Sequence, residues 1–216
     1  MQEMVVVLNP KNPDFPTALL RATQGTGFSR FWAIGDVKIL NTPLLGLLCS
    51  IRCPGRVIVQ TYDLARALRD AKVPVISGFH SPMKKECLDF LLRGKQPIVI
   101  CPARSVTNMR MPTACRKACA EGRLLILSPF APKHGRISAL LAEKRNRFVS
   151  LLADQFFVSY AASGSKTEQH CQDLLSSGKR VYTFETEREC GIVRAGAIPI
   201  ALDHLVTQLV EQAPRG

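Results

Sequence analysis

Lys144, Arg145 and Arg147 stand within four positions of one another in a largely apolar segment, and Ser163-Gly164-Ser165-Lys166-Thr167 follows one apolar run later. Cationic side chains near a small-residue turn with free backbone N–H donors can hold a phosphate, the first by charge and the second by directed hydrogen bonds. Two other turns carry related residues. Cys49-Ser50-Ile51-Arg52-Cys53-Pro54-Gly55 leads from an apolar run into a helix-like stretch, so Ser50 and Arg52 are candidates to cradle and clamp an anion. Ser77-Gly78-Phe79-His80-Ser81-Pro82 offers close backbone approach at Gly78, a helix N-cap at Ser81 and a first-turn proline at Pro82. Lys84 and Lys85 then fall near a helix start, where the macrodipole favours acids, a conflict that an external anion would relieve. The plainer alternative at each turn is an ordinary strand-to-helix connection with solvated cations.

Other chemistries find less support. No G-x-S-x-G surrounds Ser163, and neither His80 nor His134 has a partner evident in the sequence, which argues against a hydrolase triad. The eight cysteines include no Cys-x-x-Cys, and no histidine stands at zinc-finger spacing. Reduced, buried thiols of a cytosolic protein are the expectation, with no metal and no cofactor. The opening MQEMVVVLNPKNPDF lacks the basic and long apolar regions of a signal peptide, and no apolar run reaches the roughly 18–20 residues of a membrane span.

Charge narrows the ligand class. With 29 Lys+Arg against 17 Asp+Glu the chain carries a formal +12, and ten of those cations against two acids fall between Arg104 and Arg147. Such an excess suits an anionic partner, whether nucleic acid, nucleotide or acidic membrane.

Several short apolar runs must position these turns: Leu44–Leu48, Val73–Ser77, Pro97–Cys101, Leu124–Leu127, Gln155–Tyr160, Val181–Phe184 and Ala197–Ile200. Each is apolar almost throughout, as in strands covered on both faces, and helix-like stretches separate them. The expectation is an α/β fold, a doubly wound and mostly parallel Rossmann-like sheet of about seven strands with helices on both faces. Residues 1–43 read as an N-terminal lead-in packed on a main domain of residues 44–216. If 137–152 were one helix, Lys144 would fall inside a stripe of Ile137, Leu140, Leu141, Phe148, Leu151 and Leu152. A helix break near Glu143, with Arg145-Asn146-Arg147 opening a new helix, avoids that cost and is the expected arrangement.

The order of these pieces resembles the DNA-processing protein A (DprA/Smf) family over roughly residues 30–205. The resemblance is carried by Ser50-x-Arg52 after the first core strand, Ser77-Gly78 after the second and Lys144-Arg145-Asn146-Arg147 before an apolar helix. Ser163-Gly164-Ser165 and Gly191-Ile192-Val193-Arg194-Ala195-Gly196-Ala197 continue it. It implies a Rossmann-like domain that dimerises, binds single-stranded DNA through its backbone in a basic pocket, and loads a RecA-type recombinase during natural transformation. The implied pocket comprises Ser50, Arg52, Gly78, Arg145, Arg147, Ser163, Gly164 and Ser165, with Lys84, Lys144, Lys166 and Thr167 beside them; Phe79 or Phe130 would stack on bases. The chain departs from the family by an inserted residue in Cys49-Ser50-Ile51-Arg52 and by lost glycines and a lost acid across residues 78–84. The family's C-terminal winged-helix-like domain does not fit the length. A fainter resemblance, of Ser163–Glu168 to the loop of lysine-decarboxylase-like phosphoribohydrolases, implies a nucleotide-binding or nucleotide-hydrolysing enzyme as the alternative.

Overall fold

The computed structural model describes residues 4–12, 15–24 and 26–212. In chain order these form β1 (Val6–Leu8), α1 (Thr17–Thr23), β2 (Phe31–Gly35), β3 (Leu45–Leu48), α2 (Gly55–Asp70), β4 (Val75–Ser77), α3 (Pro82–Leu92), β5 (Ile98–Ile100) and α4 (Thr113–Ala120). They continue with β6 (Leu124–Ser128), α5 (Ala139–Leu152), β7 (Gln155–Val158), α6 (Lys166–Ser176), β8 (Arg180–Phe184), α7 (Gly191–Arg194), β9 (Ile198–Ile200) and α8 (Leu202–Glu211).

The strands make one sheet in the order β1-β2-β6-β5-β4-β3-β7-β8-β9. From β6 through β9 every neighbouring pair is parallel. All seven apolar runs contribute a strand, but the sheet has nine strands rather than seven. The two additional ones, β1 and β2, extend it antiparallel beyond β6. β2 is itself an apolar run, Phe31-Trp32-Ala33-Ile34, while β1 is short and keeps Val6 and Val7 partly exposed, as an edge strand can.

Alternation along each strand divides the core between the two faces. Leu125 and Leu127 join Ile76, Val99, Phe148 and Phe156 on one side. Leu124 and Ile126 join Leu45, Val75, Ile98 and Phe157 on the other. Both faces are dry, which is why the central strands read as uniformly apolar.

Helix α5 corrects one expectation. It runs unbroken from Ala139 to Leu152, with Ser138 as N-cap accepting a hydrogen bond from the Leu141 amide at 3.2 Å. The break near Glu143 does not occur, because the buried stripe is rotated from the expected one. Leu141, Arg145, Phe148 and Leu152 face inward, whereas Leu140 and Lys144 are exposed. The cation that the helix buries is therefore Arg145.

Chain order sets where a site can form. From β3 the chain winds outward through β4, β5 and β6, then returns along α5 to place β7 on the other side of β3. At such a reversal the loops leaving the two strands diverge to opposite faces and open a crevice at their carboxyl ends. The turn Cys49–Pro54 leaves β3 and the turn Ser159–Ser165 leaves β7, both at that crevice.

Candidate phosphate-binding site at the strand reversal

The two turns are joined directly. The Ser50 amide donates to the Tyr160 carbonyl at 2.9 Å, the Ala162 amide donates to Ser50 Oγ at 3.1 Å, and the Ser50 and Ser165 hydroxyls lie 3.4 Å apart. Ser50 is thus buried as a tie between turns, while Arg52, Ser163, Gly164 and Lys166 are exposed around it. Gly164 adopts φ +68°, a left-handed turn residue that directs Ser165 into the N-cap of α6. Ser165 Oγ accepts from the Glu168 amide at 3.1 Å. The Glu168 carboxylate reaches back to accept from the Gly164 amide at 2.7 Å, a close variant of the capping box. Ser165-x-x-Glu168 is the sequence signal for this residue, a capping-box pattern at the start of α6. Thr167 is half-buried in the first turn of α6.

The turn after β4 meets α5 rather than the Ser50 tie. Gly78 lies against the Arg145 guanidinium so closely that a Cβ there would overlap Nη1 and Cζ, so the lost side chain is what admits the arginine. Arg145 Nη1 donates to the Cys101 carbonyl at 3.1 Å, Nη2 lies 3.2 Å from His80 Nδ1, and Nε donates to Asn146 Oδ1 at 2.9 Å. The head group therefore bridges the ends of β4 and β5 from within. No sequence pattern marks His80 and the Cys101 carbonyl as its partners, because that contact depends on the rotation of α5.

Lys84 lies between the two groups of turns. It is 7% exposed and lines a narrow cavity with Leu48, Cys49, Phe79, Cys87 and Ser159, beneath the carboxyl ends of β3 and β7. Burial pushes its ammonium down to about 8, and the Arg145 charge adds to the effect. His80 is likewise pushed down to about 4 by desolvation, then by the Arg145, Lys84 and Lys85 charges, so it stays neutral at physiological pH. None of the ion pairs among the described residues includes Lys84 or Arg145. The neighbouring thiols supply no counter-charge either, since burial pushes Cys49, Cys87 and Cys101 up to about 12 and keeps them protonated. Buried cations without an anion are costly, and such unrelieved charge is characteristic of ligand sites.

The remaining candidates are divided by α5. Arg145 reaches the ends of β4 and β5, whereas Lys144 and Arg147 line a separate groove. The structure thus gathers Ser50, Lys84 and the Ser163–Thr167 turn at the carboxyl ends of β3 and β7, with Gly78 and Arg145 beside them at the ends of β4 and β5 and Arg52 exposed on the turn that Ser50 anchors. It does not bring Lys144 and Arg147 to that crevice. Among the described residues no cluster of three or more His, Cys, Asp or Glu side chains could hold a metal, and no helix is long and apolar enough to cross a membrane.

A doubly wound sheet with cations at its reversal point defines a Rossmann-like protein. The family model for DNA recombination-mediator protein A matches residues 6–195, and the chain belongs to that family. Among solved structures, DNA processing protein A from Streptococcus pneumoniae superposes with a TM-score of 0.74 at 14% identity, covering 94% of this chain and 74% of that one. The Helicobacter pylori protein, described for its single-stranded DNA binding mode, superposes with a TM-score of 0.75 at 16% identity, covering 97% of each chain. A molybdenum cofactor binding protein from Rippkaea orientalis gives 0.53 at 11% identity over 78% of this chain and 95% of that one. At these identities the likeness is one of fold. No curated protein matches the sequence.

Proposed function

We propose that the protein binds single-stranded DNA through its backbone phosphates at the β3/β7 reversal and acts as a recombination mediator in the uptake of transforming DNA. The observation that carries this is a pair of buried cations held without a carboxylate: Lys84 in the cavity beneath the turns after β3 and β7, which offer hydroxyls and amides, and Arg145 beside it at the turn after β4. A phosphate entering from outside would supply the missing charge. Arg52, Ser163, Gly164, Ser165, Lys166 and Thr167 form the outer rim that meets the strand, and Ser50 and Gly78 shape the floor. In this account the protein works in the cytoplasm as a homodimer, hands its strand to a RecA-type recombinase, and binds rather than catalyses. Family membership supports those assignments.

Fluorescence anisotropy of a labelled oligonucleotide across salt concentrations tests it, with duplex DNA and a mononucleotide as competitors. Affinity for the single strand should fall steeply with salt. Arg52→Ala and Lys166→Ala should each lower the log–log slope by about 0.7, the value for one phosphate contact on a single strand. Unchanged slopes in both variants, or tighter binding of the mononucleotide than of the oligonucleotide, would overturn the proposal.

Glu168 tempers the site. Its carboxylate occupies the Gly164 amide that a phosphate oxygen would need. Glu168→Ala, which removes the competing acceptor, should therefore raise affinity for single-stranded DNA about fivefold, corresponding to about 1 kcal/mol of relieved competition. The same titration reads it out; weaker binding by the variant would show that the carboxylate organises the turn instead.

A further inference from the structure

On the far side of α5 from the strand reversal, the loop before β2 and the loop after β6 enclose a groove of about 1300 Å³. Arg30, Lys133, Arg136, Lys144 and Arg147 line it, and none of its lining residues is acidic. All five cations are exposed, and none pairs with a carboxylate among the described residues. Half-buried Phe28 and Trp32 form part of the same wall. The volume exceeds the roughly 300–1,000 Å³ of small-ligand sites, and the charge is distributed around the groove rather than focused at one point. A polyanion several units long matches that distribution. Aromatic faces set among the cations favour one whose bases are free to stack, as those of a duplex are not.

We propose that this groove is a second binding track for single-stranded nucleic acid, separate from the phosphate site at the β3/β7 reversal. Phosphates lie along Arg136, Lys144 and Arg147, and bases rest against Trp32 and Phe28. The inference rests on the protein being a single-stranded DNA binder, and α5 is the shared wall. Arg145 lies beside the first site, beneath the turn after β4, while Lys144 and Arg147 line the groove, and a strand that crosses α5 occupies both.

Trp32 is the single tryptophan of the chain, so its fluorescence reports on the groove without a label. The 216-residue chain is titrated with a 20-nucleotide oligothymidylate while anisotropy of the labelled oligonucleotide follows binding anywhere on the surface. Quenching of Trp32 is expected in step with binding. Arg136→Glu combined with Lys144→Glu should abolish most of the quench and weaken binding at least tenfold. Arg52→Ala should weaken binding yet leave the quench at saturation intact. Oligonucleotide binding without any quench, together with unchanged affinity of the double variant, would overturn the groove while leaving the reversal-site proposal standing. Absence of binding in anisotropy would overturn both. Equal quenching and equal competition by polyglutamate of matched charge would show a dock for acidic peptides instead, and would also overturn the inference.

Discussion

Replacing Lys84 with methionine is expected to make the protein more stable and a poorer ligand binder at once. The folded protein holds the Lys84 ammonium near 8 against an ordinary value of 10.5, with burial the leading cause. At 1.36 kcal/mol per unit, keeping the charge in the apolar cavity costs on the order of 3 kcal/mol at neutral pH. Methionine fills a similar volume without that cost. A gain of this size corresponds to a rise in Tm of about 6–12 °C for a chain of this length. The sign with pH follows from proton counting. Between about 8 and 10.5 the unfolded chain keeps the Lys84 proton while the folded one has released it, so wild-type stability rises with pH through that window. The methionine variant lacks this rise, and the two curves should converge toward pH 10.5. Single-stranded DNA affinity should fall at least tenfold, since a charge under the phosphate site is gone. Chemical denaturation at about pH 7 and about pH 10 checks the first part and anisotropy the second; a Lys84→Met protein less stable than wild type would mean that the ammonium is already satisfied within the fold.

The second large effect is expected at Gly78. A methyl group there would occupy the space of the Arg145 guanidinium, which is 2% exposed and tied to the Cys101 carbonyl and His80. Gly78→Ala must therefore expel the arginine from its hydrogen bonds or shift the turn after β4. Overpacking of this kind costs about 2–3 kcal/mol. Because the cost arises from one contact, it should be strongly non-additive with Arg145→Leu, the double variant being less destabilised than the sum of the single ones. Urea titrations of the four proteins measure the coupling. Additive losses would show that Gly78 is needed for its backbone conformation alone.

These two residues also show what the sequence could and could not reveal. All seven apolar runs were legible because both faces of the central sheet are buried, so composition alone marked them. β2 was legible in principle, but its run sits in a proline-punctuated lead-in whose texture obscured it. The three strand-end turns could be found from Ser50, Gly78 and Ser163–Ser165, since glycine and hydroxyl residues after an apolar run mark turns and helix caps. The rotation of α5 could not. A helix bearing Lys144, Arg145 and Arg147 must bury one of three adjacent faces, and only packing of Phe148 against Phe28 and Phe31 decides which. Assuming that no cation would be buried whole led to the expected break near Glu143. Arg145 is buried because Gly78 leaves room for it and the Cys101 carbonyl accepts from it, two facts that belong to other elements. The separation of Lys144 and Arg147 from Arg145, and hence the groove beyond α5, follows from the same rotation.

The central claim is that the buried cations under the strand reversal await a phosphate. Its most direct test is the titration of Lys84 itself, followed by NMR of selectively labelled lysine side chains in the free protein and with saturating single-stranded DNA. The account predicts a midpoint near 8 in the free protein and a clear upward displacement once the phosphate backbone is bound. A midpoint that stays unchanged with the strand in place would contradict it.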